Sequence, residues 1–541
     1  MLGIRDATQP AAFHVTSTLF GPLDFQPHSQ VIMYLFIGLS TLWLVLRAFG
    51  DTRRRSLPPG PRGIPILGNV FQLTGDVFLT FHKWKRKFGP LVYLRAGGQD
   101  ILLLNTHEVA FELLDRRAAI YSGRPKLIVA SELMTGGLFM PLQSDNDAWR
   151  RMRRASHEHV GPSAVHQYRS TQMKEATIMV EGLLREANTW RDELERMSVS
   201  LAMGVVYRQP TITSLKDPRA THLNDFLHDF TLAASPGAHL VEYITWMKYL
   251  PASIAKWKRD ALNRYHHDWL YFKNMYMTVE DRIRNGEHIA SLAASLIRDR
   301  KQLGLSEKEA VWTAAAIYGG GAETTMTSLS WFLVTMVSHP DIQRKAQNEL
   351  DAVVGQRRMP NFSDREHLPY IDACLRETLR WKGVTPVGVV HQTAEDDWYE
   401  GYFIPKGTIC IPNQRSMNRD PDVYGPGVNE FKPERHLDNN GRLVCPFPNT
   451  HDGHVSYGFG RRICVGRYIA DDTLFIAMAS LLWAATIAPV EDADGNPVMP
   501  DTEGYENRGL VLSPLPFECS VKPRFPGAEE IISYTREMFE E

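Results

Sequence analysis

The chain is poor in cysteine. Its 541 residues include five, at Cys374, Cys410, Cys445, Cys464 and Cys519. The count is odd, the spacing is scattered and no C-x-x-C pair occurs, which excludes a dense secreted disulfide framework. This arrangement also lacks the clustered Cys/His ligands of a zinc module. Neither sign of charge dominates: the formal net charge is −2, with 23% charged and 43% hydrophobic residues. No basic footprint of a nucleic-acid binder is present, so that partner class is set aside. Between Ile64 and Arg524 there is no internal repeat and no low-complexity linker, and no flavin or dinucleotide fingerprint occurs.

One long apolar run is present. Val31–Leu46 (VIMYLFIGLSTLWLVL) carries no charge, and Arg47-Ala48-Phe49 follows it. Roughly 19 helical residues at 1.5 Å each give about 28 Å, close to the hydrocarbon thickness of a bilayer. Arg47 can snorkel to the interface. Arg53, Arg54 and Arg55 follow the run, whereas Arg5 is the one arginine or lysine before it, beside the acidic Asp6 and Asp24, which puts the C-terminal bulk in the cytosol. The expectation is a lumenal segment over 1–30, a single transmembrane anchor over 31–49 and a basic, proline-rich linker over 50–63. Two alternatives stand beside it. A signal peptide cleaved at Ala48-Phe49-Gly50 is disfavoured by the long, nearly uncharged upstream segment. A buried core helix is disfavoured by the lack of amphipathic periodicity.

Helical patterns dominate the remainder, over Ser163–Ala202, Pro251–Asn285, Ser306–Ser338, Asp341–Val354, Tyr370–Trp381 and Arg467–Ala485. Strand-like stretches occur at Leu91–Arg95, Ile101–Leu104, Gly388–His391 and Gly407–Pro412, and Asp396–Gly407 reads as a hairpin turning at Glu400-Gly401. A mainly α (α+β) domain over 64–525 with small sheets fits, followed by an acidic surface tail over 526–541.

Chemistry concentrates in two places. Tyr457–Gly466 (YGFGRRICVG) surrounds Cys464 with Gly458, Gly460 and Gly466. Glycine permits close approach of backbone to a ligand. The helical pattern after Cys464 places it at a helix start, where the dipole favours a thiolate. The other four cysteines have no such flanks and are expected to be structural. Ala314–Thr327 (AAAIYGGGAETTMT) puts three consecutive glycines inside a helical run, at a cost of roughly 3 kcal/mol against alanine. Close helix packing is the plain reading, and an opening beside a cofactor is the functional one. The Thr324 hydroxyl can bond back to the Gly320 carbonyl and widen the turn. Glu323 beside it completes an acid–hydroxyl pair suited to relaying protons.

The cysteine loop resembles that of the cytochrome P450 family, F-x-x-G-x-R-x-C-x-G, with Tyr457 in the phenylalanine position. The tyrosine adds a hydroxyl that needs a partner. Gly320-Gly321-Ala322-Glu323-Thr324-Thr325 is similar to the family's distal motif A/G-G-x-D/E-T-T. Glu377 and Arg380, spaced i, i+3, would ordinarily be surface decoration. Their place before Cys464 instead resembles the family's E-x-x-R motif, and Phe431–His436 resembles its P-E-R-F segment, which would bring in Arg435.

The resemblance runs from about Leu57 to Arg524. It implies a triangular helical prism with small sheets, and haem b held by Cys464 as axial thiolate. Trp149, Arg153, His391 and Arg462 would meet the haem propionates, while Gly320, Gly321, Tyr457, Gly458, Gly460 and Gly466 would line the cofactor. Glu323 and Thr324 would deliver protons during oxygen activation. Arg150, Arg151 and Arg154 would either face a reductase or form a solvated face. The anchor and the hairpin look most like fungal microsomal members, implying residence in the endoplasmic reticulum membrane. An NADPH-cytochrome P450 reductase, with cytochrome b5 as a second donor, would supply electrons. The substrate would be a lipophilic intermediate of secondary metabolism, such as a terpenoid or polyketide. Its pocket would draw on Lys126–Pro141, Trp312–Ala316, Gly383–Val389 and Gly509–Pro514, largely apolar stretches. The rivals are a haem-thiolate isomerase or dehydratase that uses no oxygen, and a non-catalytic membrane haem protein.

Overall fold

The computed structural model describes residues 27–49, 56–65, 67–235 and 237–539, with side chains of the first segment described over 31–42. The expected lumenal segment up to residue 26, Arg53–Arg55 and the side chain of Arg47 lie outside the described residues. The chain divides into two units. One holds residues up to Leu57 with Gly401–Phe403, and the other holds Pro58–Glu400 and Ile404–Glu541.

In the first unit the apolar run is a helix, Pro27–Phe49. Val31, Tyr34, Leu35, Phe36, Leu39 and Leu42 are exposed along it. Among the described residues no helix is long and apolar enough to cross a membrane.

In the second unit the proline-rich segment is docked from Pro58 onwards, six residues earlier than the expected boundary at Ile64. The Tyr93 N–H donates to the Pro59 carbonyl at 2.9 Å, and a Cβ on Gly60 would lie 1.7 Å from the Tyr93 carbonyl oxygen. The strand beyond it belongs to a four-stranded sheet ordered Leu91–Ala96, Gln99–Leu104, Ile409–Pro412, His391–Gln392. The first pair is antiparallel with Leu91 opposite Leu104. The middle pair is parallel with Ile101 opposite Ile409. Val92, Leu94, Ile101 and Leu103 pack with Phe81 on one face, as the two-residue period of a strand requires. The expected strand Gly388–His391 is displaced: pairing starts at His391, opposite Cys410.

Helix Glu307–Ser338 forms the centre of the core. A capping box starts it: Ser306 Oγ accepts from the Glu309 N–H, and Glu309 returns the bond to the Ser306 N–H. Pro340, first residue of the next helix, ends it. Helices Arg169–Arg185, Trp190–Tyr207 and Arg467–Ala484 pack around it. The expected single helix Ser163–Ala202 is therefore two, separated at Glu186, whose φ is −151°. Helix Pro218–Ala234 has no counterpart among the expected elements; Asp217 caps it through the Arg219 N–H. The acidic tail is no loose appendage either. Helix Ala528–Glu537 buries Ala528 and Ile532, and Arg536 pairs with Glu181 at 2.8 Å. The stretch after Asp396 carries two short strands, Asp397–Tyr399 and Tyr402–Ile404, with Glu400 at φ 49° between them. Cys374, Cys410 and Cys519 are buried as expected, whereas Cys445 is exposed.

Glu377 and Arg380 are not decoration. Both are fully buried on helix Pro369–Trp381, and Arg380 donates to Glu377 through Nε and Nη2 at 2.7 Å each. Arg435 Nε reaches Glu377 at 3.2 Å, and the Lys432 N–H at 2.9 Å. His436, which stands where the P-E-R-F segment has phenylalanine, adds a contact through Nε2 at 3.0 Å.

Candidate active site

The loop Tyr457–Gly466 is pinned from inside and outside. The Cys464 N–H donates to the Tyr457 carbonyl at 2.8 Å, and the Gly466 N–H bonds the Cys464 sulfur. The Gly460 N–H donates to Asp115 Oδ1 at 2.8 Å. Gly460 has φ 54°, and a Cβ there would lie 2.0 Å from the Leu114 carbonyl oxygen, so a side chain is excluded. Helix Arg467–Ala484 begins three residues after the cysteine. Burial pushes the Cys464 thiol up, opposed by the Gly466 N–H, Arg153 and Arg467. The residue nevertheless remains solvent-accessible. Both statements hold together if protein surrounds the sulfur on most sides and leaves one side open. A Cβ on Gly466 would likewise meet nothing within 4 Å.

The tyrosine hydroxyl has its partner: Tyr457 Oη donates to Asp471 Oδ1 at 2.7 Å. Burial lifts the Asp471 carboxyl to about 7, against the Tyr457 hydrogen bond and Arg365. Tyr457→Phe leaves that carboxyl without its donor and is expected to cost about 1–2 kcal/mol in urea unfolding. Asp471→Asn in the same chain should recover part of the loss. Strictly additive losses would dismiss the pair as a stabilising unit.

Cations gather around the loop. Asn146 caps helix Asp147–Val160 by accepting the Trp149 N–H at 2.8 Å, and Arg153 follows Trp149 by one turn. Arg153 donates to the Ile463 carbonyl. Arg462 lies over the Trp149 ring at 3.8 Å and donates through Nε to the Ser122 carbonyl at 2.8 Å. Its Nη1 and Nη2 are buried with no partner among the described residues. Burial pulls Arg153 down to about 10 and Arg462 to about 9, with Asp145 offsetting and Arg153 adding to the effect on Arg462.

Arg124 was missed by sequence reasoning. Its Nε donates to the Pro141 carbonyl at 3.0 Å, and its Nη1 to the carbonyls of Val389 and Val390 at 2.7 and 2.5 Å. Burial, then Arg462 and Arg153, push it well below the ordinary arginine value. The one available signal was a pair of charges, Arg124 and Lys126, between the apolar stretches Ala118–Tyr121 and Leu127–Ala130.

His391 is buried at the start of a short strand. Its Nδ1 lies 2.9 Å from the Tyr121 carbonyl, so that nitrogen carries the proton. Burial and the neighbouring Arg124 and Arg462 hold the ring neutral. It becomes a cation only by taking a second proton on Nε2 beside an anion. Of the three arginines named as reductase candidates, Arg151 is tied to Glu309 at 2.5 Å, and Arg150 pairs with Asp145 at 2.8 Å. Arg154 is largely exposed.

Helix Glu307–Ser338 runs unbroken through Gly319, Gly320 and Gly321. The Thr324 hydroxyl donates to the Gly320 carbonyl at 2.9 Å, as expected, and Ser328 Oγ to the Thr324 carbonyl at 2.9 Å. Close packing does not explain the glycines. A Cβ at Gly319 would stand 3.4 Å from Leu227 and one at Gly321 3.6 Å from Ala202, both ordinary contacts, and one at Gly320 would meet nothing within 4 Å. Gly320 is exposed in the middle of a buried helix. Burial pushes the Glu323 carboxyl up, with Arg508 opposing and Glu195 adding, so it keeps its proton to higher pH than a free carboxyl. Neither Arg508 nor Glu195 stood out in the sequence.

Glu242 accepts the N–H groups of Ile128 and Val129 at 2.7 and 2.9 Å, and the tilted rings of Phe139 and Phe230 lie 4.7 Å apart, centroid to centroid. Trp312 is fully buried against Phe272 and Tyr265.

Three mutually repelling guanidiniums, one of them with two partnerless nitrogens, suit a ligand bearing two carboxylates. With a cysteine sulfur open on one side, the donor set fits haem b. The class so defined is that of the haem-thiolate oxygenases. The sequence profile of the cytochrome P450 family matches residues 58–521, and the chain belongs to that family. A cytochrome P450 monooxygenase of Armillaria gallica is 46% identical over 485 residues, 90% of this chain and 93% of its own length. One from Postia placenta is 42% identical over 496 residues, 92% and 93% of the two chains. Another, from Amanita muscaria, is 40% identical over 532 residues, 90% and 94%. The mostly helical architecture with small sheets fits the family fold. The cofactor is cysteine-ligated haem b, and the chain is an oxidoreductase that incorporates oxygen into a small molecule with electrons from a redox partner.

Proposed function

We propose that Cys464 is the haem ligand of a membrane-bound monooxygenase acting on a lipophilic intermediate of fungal secondary metabolism. The observation that carries this reading is the crowding of Arg124, Arg153 and Arg462 around the Cys464 loop, with the Arg462 Nη atoms lacking a hydrogen-bond partner among the described residues. Arg462, Arg153 and, once protonated, His391 would hold the propionates. Haem held there supplies the oxygen-activating chemistry, and thiolate donation favours O–O cleavage.

The protein's own contribution is protonic and steric. Glu323 keeps its proton to higher pH than a free carboxyl, Thr324 orients its hydroxyl through the Gly320 carbonyl, and Gly320 leaves room beside that hydroxyl. Apolar side chains near the site (Ile128, Val129, Phe139) favour a terpenoid or polyketide over a charged substrate.

The catalytic unit sits at the endoplasmic reticulum membrane facing the cytosol, anchored by the run Val31–Leu46, and takes electrons from an NADPH-cytochrome P450 reductase, with cytochrome b5 as a second donor. Exposed Leu240, Tyr243, Trp246, Tyr249 and Ile254 support contact with lipid by the folded unit itself.

The test is microsomal. With reductase and candidate intermediates, product should form with stoichiometric use of NADPH and oxygen. Product without that use would overturn the monooxygenase reading. Thr324→Ala should keep haem yet lower product per NADPH about tenfold or more, the balance appearing as peroxide or water. Unchanged coupling would remove Thr324 from the relay.

A further inference from the structure

Helices Pro218–Ala234 and Lys256–Arg284 carry none of the haem-site residues, yet they bring three ligand-type side chains to one point. His222 Nε2 lies 3.3 Å from Asp268 Oδ1, and His267 Nδ1 lies 3.5 Å from the same oxygen. All three atoms fall within 4.8 Å of one another. Asp268 is fully buried and His222 nearly so. His222 Nε2 and Asp268 Oδ1 nevertheless have no hydrogen-bond partner among the described residues.

Their spacing is informative. Ligand atoms about 2.0–2.2 Å from a tetrahedral zinc ion stand about 3.3–3.5 Å apart. A hydrogen bond needs the N–H to point along the N···O line, and the His222–Asp268 approach lacks that alignment despite its distance. A tetrahedral ion sits off that line, between the lone pairs.

The surroundings hold the ligands ready. Arg264 Nε occupies the other Asp268 oxygen at 2.8 Å, and its Nη1 is taken by Asp229 at 2.7 Å. Such outer contacts orient a ligating carboxylate. The His222 ring stacks on Tyr271 at 3.6 Å, which fixes its plane. Burial, with His267 and Arg264 adding, keeps His222 neutral down to about 4, the form that binds metal. His267 is largely exposed, so the site opens to solvent.

We propose that His222, His267 and Asp268 form a structural zinc site, with water as fourth ligand, clipping helix Pro218–Ala234 to helix Lys256–Arg284. The clip would steady the helix that places Phe226 and Leu227 beside Gly319.

The test uses the full-length, haem-loaded protein, freed of stray metal on a chelating resin and titrated with zinc chloride. One equivalent should bind per chain, raising Tm by about 3 °C. X-ray absorption at the zinc edge should report two imidazole nitrogens. His267→Ala, at an exposed position that tolerates truncation, and His222→Ala should each weaken binding about 100-fold. An unchanged spectrum of the reduced, carbon-monoxide-treated protein certifies that the variants are folded. A wild type that takes up no zinc, or either variant retaining the tight equivalent, overturns the site.

Discussion

Cys464→Ala should give a folded protein whose reduced, carbon-monoxide-treated form lacks the thiolate-type band, with product formation down about a thousandfold or more. Folding should survive because the residue is solvent-accessible on one side and its loop is held by backbone. The Tyr457 carbonyl accepts the N–H of residue 464 whatever its side chain, and the Gly460 N–H remains on Asp115. The unfolding free energy of the variant should stay within about 1 kcal/mol of wild type. Persistence of the band in the variant would move the ligand to another cysteine. The buried candidates make that unfavourable: desolvation drives the Cys374 and Cys410 thiols strongly upward, and at Cys374 the carboxylates of Glu349, Glu434 and Glu377 add to it against Lys345, whereas the Gly466 N–H and Arg153 oppose it at Cys464. Replacing Cys445, which is exposed and lies near Thr450, should leave the band intact.

What could be read from the chain follows from the range of each interaction. The cysteine loop, the Ser306-started helix and the Thr324–Gly320 bond are local, so residue type and spacing carry them. The single-helix reading of Ser163–Ala202 failed because the break at Glu186 is a backbone turn inside an apolar pattern that continues across it. Helix Pro218–Ala234 was missed since its buried positions are few and polar residues crowd its sequence (Ala220, His222, Leu223, Phe226 and Ala233 face inward). The docked tail was misjudged because its charge outweighs the two apolar contacts that seat it. Arg124 and the Glu323 neighbours Arg508 and Glu195 are assembled by tertiary contact alone. The protonation of His391 depends on the Tyr121 carbonyl and two arginines that come from other elements. The His222–Asp268 approach joins positions far apart in sequence, beyond any motif.

Glu377→Ala should be the most damaging substitution outside the haem loop. It removes at once the acceptor for two Arg380 bonds, one from Arg435, one from His436 and the Lys432 N–H. Arg380 would retain its bonds to the Asn418 and Val428 carbonyls at 2.8 and 3.0 Å, but its charge would be buried without a counter-ion. Breaking one partner of such a pair costs about 3–5 kcal/mol, a large share of the ~5–15 kcal/mol by which folded proteins are stable. Urea unfolding should show it as a lower midpoint, and a midpoint unchanged within error would return the network to decoration. Acid gives an independent readout. Burial alone would raise the Glu377 carboxyl, but hydrogen bonds from Arg380 and His436 overcome it and hold the group at about 2, against 4.5 for a free glutamate. A lowered carboxylate contributes stability above its unfolded value and loses it as pH falls toward the folded one, here a contribution of roughly 3 kcal/mol. His436, drawn below its ordinary 6.5 chiefly by burial, begins to cost stability on acidification below that value, because the unfolded ring takes up a proton first. The wild-type unfolding free energy should therefore decline from about pH 6.5 and steepen below about 4.5. Glu377→Gln keeps the shape and removes the charge, so the steeper limb should flatten in that variant while the shallow one persists.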